Sequence, residues 1–186
     1  MAYTTLSAFK SFAGFDADEG DDDDDMLNAM IASATIIIEN YTQRKFEVEA
    51  ETDQAFTRIA GMQTNRFSGS MLYFYEELAD EASAITDSPT VSYIPENGPP
   101  YYGCYLTDGA WAYPAVTVTG YWGYSKVAPP AIEQACLRLA KWLYDQKETN
   151  PGNSAIITPE GQVLLPQGLP SDVISILKPY KKVVVA

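Results

Sequence analysis

Apolar residues in this chain recur with a helical period towards both ends and with a strand period in the middle, which points to a fold of mixed layers. Leu27, Met30, Ile31, Ala34, Ile38 and Tyr41 form one stripe over four turns and predict a helix from about Asp24 to Arg44. Ahead of it, Thr5 is placed to cap a short helix through about Ala13, with Leu6, Phe9 and Phe12 on one face and Gly14 as its stop. From Phe46 to Tyr124 the pattern changes. FEVEAE (Phe46 to Glu51) alternates apolar and acidic residues, and MLYFY, TVSYI, YYGCYL and AVTVTGYW are short runs rich in aromatic and β-branched side chains. Breaker clusters at Asn65 to Gly69, Glu96 to Pro100 and Thr107 to Ala110 separate these runs, so short antiparallel strands joined by turns are expected.

Pro129 and Pro130 open the next segment, since proline suits the first turn of a helix. A helix from about Ala131 to Glu148 carries Ile132, Cys136, Leu139 and Leu143, with Trp142 beside them, and Asn150 to Gly152 stops it. Ala155 to Ile157 and Val163 to Leu165 flank a Pro-Glu-Gly turn and read as a small hairpin. After Pro170, Ser171 is expected to cap a last helix with Val173, Ile174 and Leu177 inward, ended by Pro179. The predicted fold class is α+β: a helical core of about four helices, drawn from both ends of the chain, with an inserted antiparallel β subdomain. By position that is 1–45 for the N-terminal helices, 46–128 for the β-rich insertion, and 129–186 for the C-terminal helices and a basic tail, together one folded unit.

Composition narrows the chemistry. Twelve Lys and Arg stand against twenty-five Asp and Glu, a net charge of −13, which opposes bulk affinity for nucleic acid or an anionic membrane. An acidic protein can still stand beside DNA whose passage it must not hinder. Histidine is absent, which removes the commonest general base, the Ser-His-Asp arrangement and every His-containing zinc site. Cys104 and Cys136 are far apart and in no metal-ligand spacing, so reduced thiols in a cytoplasm are expected rather than a disulfide framework. The opening MAYTTLSAFK has no basic stretch followed by an apolar core, and no apolar run reaches the roughly 20 residues a bilayer requires. A soluble protein, intracellular when made, is the expectation.

Four features invite a chemical reading. Phe15 to Asp25 holds eight carboxylates, but counting a calcium loop from Asp16 puts Asp21 where glycine is needed and Leu27 where the bidentate Glu belongs. A solvated linker whose aspartates precede a helix N-terminus accounts for it instead. Glu76, Glu77, Asp80 and Glu81 are dense enough for a carboxylate-dependent hydrolase, yet a hydrophilic surface explains them equally, and nothing selects a pair. Cys136 lies on an apolar stripe and Cys104 in an aromatic strand with no basic neighbour, which suits inert structural thiols. GYWGYS precedes Pro-Pro rather than opening a helix, so it is no phosphate loop.

TLSAFKSFAGF, DDMLNAMIASATIIIENYTQRKF, VTVTGYWGYSKVAPPAIEQACLRLAKWLYDQ and LPSDVISILKPYKK, in that order, resemble the head–tail connector family of tailed bacteriophages. TLSAFKSFAGF, an acidic linker and DDMLNAMIASATIIIENYTQRKF are similar to that family's opening, a short helix before a longer one ending in a Tyr-Thr-x-Arg-x-Phe-like signature, here Tyr41, Thr42, Arg44 and Phe46. VTVTGYWGYSKVAPPAIEQACLRLAKWLYDQ resembles its strand, Gly-aromatic-Gly turn, proline and long helix, with Gly120, Trp122, Gly123, Pro130, Ile132 and Ala135 in place. LPSDVISILKPYKK resembles its last helix, ending in Pro-Tyr and basic residues. The stretch from Glu47 to Pro114 is longer and more aromatic than the family pattern.

The resemblance implies a structural protein with no catalytic residues, no metal and no cofactor. It implies a homo-oligomeric ring, typically dodecameric, that sits beneath the portal protein, extends the DNA channel, and offers its far face to a stopper or tail protein. Genomic DNA would pass through without specific binding, and no membrane is involved. The place implied is the head–tail interface of a virion, assembled in the host cytoplasm. A stopper or tail-completion ring is the neighbouring reading, and a calcium-binding module or hydrolase the distant one. The C-terminal segment, with Lys178, Tyr180, Lys181, Lys182, Val183, Val184 and Val185, is expected to engage the portal. Its composition alone fits either a frayed helix end or an arm that adds a strand to a partner.

Overall fold

The computed structural model describes residues 2–15, 23–57, 67–87, 89–111, 115–149, 156–157, 163–164 and 168–182. The chain divides into two compact units, Met1–Arg44 with Pro129–Ala186, and Lys45–Ala128.

The first unit is helical. In α1, Leu6–Ala13, the Thr5 hydroxyl accepts from the Ala8 N–H, and Gly14 closes the helix at φ 79, a left-handed conformation open to glycine. In α2, Asp24–Thr42, the buried positions are Leu27, Ile31, Ala34, Thr35, Ile38 and Thr42. They face α3, Pro130–Thr149, which buries Ile132, Ala135, Cys136, Leu137, Leu139 and Ala140. The last helix, α4, Ser171–Leu177, adds Val173 and Leu177 to this core and runs on as one 3₁₀ turn, Lys178–Tyr180. Fully buried side chains such as Ile31, Ile38, Leu139 and Leu177 are worth roughly 1.5–3 kcal/mol each, so side-chain burial rather than helix propensity holds these helices. Tyr3 fastens the N-terminus: its N–H donates to Thr35 Oγ1 at 3.4 Å and its hydroxyl to Glu39 Oε1 at 2.7 Å.

The second unit holds two antiparallel sheets. One has the order β1–β7–β4, from Thr52–Thr57, Ala115–Gly120 and Ala84–Ile85. The other has the order β2–β3–β6–β5, from Phe67–Ser68, Met71–Leu78, Tyr101–Leu106 and Val91–Ile94. Phe56, Phe74, Leu78, Cys104, Val116, Val118 and Trp122 fill the core, with Phe74 and Trp122 edge to face at 5.2 Å. In the glycine-aromatic-glycine turn, Trp122 Nε1 donates to the Thr52 carbonyl at 2.8 Å. A Cβ on Gly120 would meet Leu78 Cδ1 at 2.7 Å, and one on Gly123 would run into Val48 Cγ2. Close packing, not left-handed backbone, favours glycine here, most firmly at Gly123, where the Lys45 carbonyl oxygen also lies 3.0 Å from the added Cβ. The first unit also contains a short hairpin that pairs β8, Ile156–Ile157, with β9, Val163–Leu164.

The α+β class stands, with helices at both ends and antiparallel sheets between. Four local expectations are corrected. FEVEAE is not a strand: pairing begins at Thr52, opposite Gly120, and alternation without an aligned partner makes no ladder. Phe67–Ser68 pairs with β3 inside the expected breaker cluster. Phe12 is 44% exposed, because only Phe9 of its stripe is buried in the core. Ser171 is the first helical residue after an uncapped Pro170, and its carbonyl accepts from the Ser175 hydroxyl. The stop at Asn150 to Gly152 lies outside the described residues.

Candidate functional site

The C-terminal segment is seated on the end of α2. The Arg44 guanidinium donates to the Tyr180 carbonyl at 2.9 Å, and the Lys182 N–H donates to the Thr42 carbonyl at 2.8 Å. The Lys181 ammonium lies 5.2 Å from the centre of the Tyr41 ring, within cation–π range. Tyr41, Thr42 and Arg44, singled out in the sequence as parts of a helix-end signature, thus hold the base of the tail. Sequence reading missed this seat, since it joins residues 136 positions apart through a backbone carbonyl, and no local signal marks such a contact. Lys178 and Lys181 are exposed, Tyr180 and Lys182 half-buried. Val183, Val184 and Val185 lie outside the described residues.

These lysines differ from most other described cations, though exposed Lys45 likewise has no carboxylate among the ion pairs. Lys10 pairs with Asp24 at 2.5 Å, Lys126 with Asp80 at 3.0 Å, Arg138 with Asp172 at 2.8 Å, and Lys141 with Asp145. Among the described residues, Lys178, Lys181 and Lys182 have no such carboxylate. In a chain of net charge −13, they make a local positive surface with unspent pairing capacity.

The acid-rich positions assemble nothing comparable. Glu76 is exposed on β3 while its neighbour Glu77 is buried, so the strand turns the two to opposite sides. Asp80 accepts from Lys126 and from the Glu81 N–H, and the lysine holds its carboxyl below the usual range, the reverse of what a general acid requires. Glu81 does border a hollow of ≈ 370 Å³ with Glu96, Tyr93 and Tyr101, the two rings 4.8 Å apart. Burial raises both phenols, so they stay neutral, and the hollow offers acceptors and aromatic faces rather than a nucleophile–base pair. Among the described residues no His, Cys, Asp and Glu group could hold a metal ion. Of the Asp21 to Asp25 run, Asp23 to Asp25 are described, with Asp24 and Asp25 in the first turn of α2 where the helix dipole favours them.

Both cysteines are free and buried. Burial pushes the Cys104 thiol up to about 12 and the Cys136 thiol to about 11. Cys136 contacts Thr35 Oγ1 at 3.7 Å, inside the helical core. Neither is a thiolate near neutral pH. No helix among the described residues is long and apolar enough to cross a membrane.

Comparison with known proteins bears on the fold and on the N-terminal part of the chain. Residues 3–85 match the model of the phage gp6-like head-tail connector protein family. That stretch includes α1, α2 and the Tyr41 to Phe46 signature, and over it the resemblance drawn from the sequence is borne out. Among solved structures, a chain from the neck of an empty gene transfer agent particle, computed with C6 symmetry, superimposes with a TM-score of 0.64 at 14% identity. The match covers 99% of this chain and 92% of that one. A chain from the neck of the native particle, computed with C12 symmetry, gives a TM-score of 0.57 at 14% identity, covering 100% of this chain and 96% of the other. A chain from the native virion gives 0.52 at 14% identity, covering 99% and 92%. No protein of curated function matches in sequence.

Proposed function

We propose that this chain is a structural subunit of the neck of a tailed particle, the head-to-tail adaptor that forms a ring beneath the portal. The agreement of its fold, along essentially its whole length, with chains from necks computed with C6 and C12 symmetry carries the reading. The connector family model over residues 3–85 supports it from an independent direction. The chain works by shape and surface, not by catalysis. The ring, of twelve copies in this reading, extends the DNA channel and offers its far face to a stopper or tail protein. Its acidic balance lets DNA pass without capture, since few cations are available to replace counterions on the phosphates. Its place is the head–tail interface of the virion, reached after assembly in the host cytoplasm.

Within that reading the C-terminal segment engages the portal. Lys178, Lys181 and Lys182 supply cations without carboxylate partners among the described residues, Tyr180 anchors the segment's backbone to Arg44, and the sequence of Val183 to Val185 is apolar and β-branched, a composition suited to adding a strand to a neighbour. The test is attachment to purified portal-bearing, tailless heads. A chain lacking residues 178–186 is expected to keep its helical circular dichroism and lose attachment. Undiminished attachment by that chain removes the tail from this role.

A further inference from the structure

The outward face of α2 is a second surface with no evident purpose in a solvated monomer. Asn28, Ala29, Ala32, Ser33, Ile36 and Asn40 are all exposed, and Ile36 is 58% so. Between Met26 and Ile38, thirteen residues in succession, there is no charged side chain, in a chain that is 20% charged. A helix whose far side faces only water normally carries Lys, Glu or Arg there. Instead this face presents an exposed β-branched side chain between small residues, which let another backbone approach closely. Buried positions on the same helix already serve α3, so the core does not explain the outward ones.

We propose that this face of α2 packs against a second copy of the chain and forms one side of the subunit contact in the ring. The inference rests on the ring reading above. Charge selects the occupant. Copies that each carry −13 repel one another, which favours contacts where carboxylates are absent, and past Asp25 in the first turn this exposed helix face has none as far as Ile38. A closed ring needs a heterologous contact, two different faces per subunit, and the α2 face supplies one of them.

Ala32→Glu and Ile36→Glu place a carboxylate on the face without removing a buried group, and Glu suits a helix. Light scattering after size exclusion, on the purified chain alone and mixed with purified portal, should show ring-sized particles for the wild type and their loss in both variants, with circular dichroism unchanged. Ser33→Cys gives a readout that needs no disruption. With Cys104 and Cys136 buried, a thiol-reactive spin label should report at position 33 alone. Its motion should be strongly restricted in the ring and free in the monomer. Rings that persist in both glutamate variants, or a label equally mobile in ring and monomer, overturn the assignment while leaving the ring intact. Rings that persist but no longer accept portal or tail protein overturn it in favour of another occupant. A wild-type chain that forms no ring under either condition defeats the ring reading itself, and this proposal with it.

Discussion

Arg44 does at residue scale what a longer segment would otherwise have to do. One guanidinium hydrogen bond to the Tyr180 carbonyl, with Lys182 donating to Thr42, fixes where the chain leaves the helical unit. A charge-assisted hydrogen bond of this kind contributes about 1.5–3 kcal/mol. Arg44→Ala is therefore expected to raise amide exchange at Lys181 and Lys182 by 10-fold or more, with only a modest fall in Tm, and unchanged exchange would show that the seat does not depend on it. The two thiols give a second expectation. Their folded-state pKa values, about 12 and about 11, lie above the ordinary 9.0, so the folded state holds its protons more tightly than the unfolded chain. Stability is then unaffected by these groups below pH 9 and is lost as pH rises from 9 towards 12, where the raised Tyr93 and Tyr101 add to the loss. A Tm measured from pH 7 to 11 should be flat to about 9 and then fall. Thiol reagents at pH 8 should label neither cysteine until denaturant is added.

Among the elements, those with a strong internal period were legible in the sequence and those defined by a distant partner were not. Thr5 and Gly14 bound α1 as their chemistry requires, and the Leu27 to Ile38 stripe became the buried face of α2. The outcomes at FEVEAE and Phe67–Ser68 turned on strands far away in the chain, since a strand exists only by pairing. The candidate site divided in the same way: the basic tail was visible as composition, while its seat on Tyr41, Thr42 and Arg44 is a tertiary fact. Gly103 offers an element-scale prediction. A Cβ there would lie 2.5 Å from the Leu72 carbonyl oxygen on the paired strand β3, which backbone cannot yield cheaply. Gly103→Ala should cost about 1–3 kcal/mol in urea unfolding. The Arg138–Asp172 bridge between α3 and α4 should matter far less, since its side chains are 45% and 52% exposed. Asp172→Asn is expected to cost less than about 1 kcal/mol at pH 7. Arg138 lowers the Asp172 carboxyl, so even that contribution is present above the ordinary carboxylate range and disappears as pH falls through the lowered value.

For the whole molecule, charge and assembly pull against each other. Every copy brings −13 into a ring, and the contacts proposed for that ring lie on an uncharged helix face, so screening relieves repulsion without weakening the contact. Raising salt from 50 to 300 mM is therefore expected to favour self-assembly, the reverse of an interface held by salt bridges, and sedimentation across that range reads the sign. Attachment through the lysines of the tail should respond oppositely and weaken with salt. The central claim is that this chain builds a ring at a portal, and the mass of the purified protein in solution, by light scattering after size exclusion with and without isolated portal, tests it most directly. The account predicts a ring-sized particle, either in the protein alone or formed from monomers once portal is added. A monomer whose mass is indifferent to portal contradicts it.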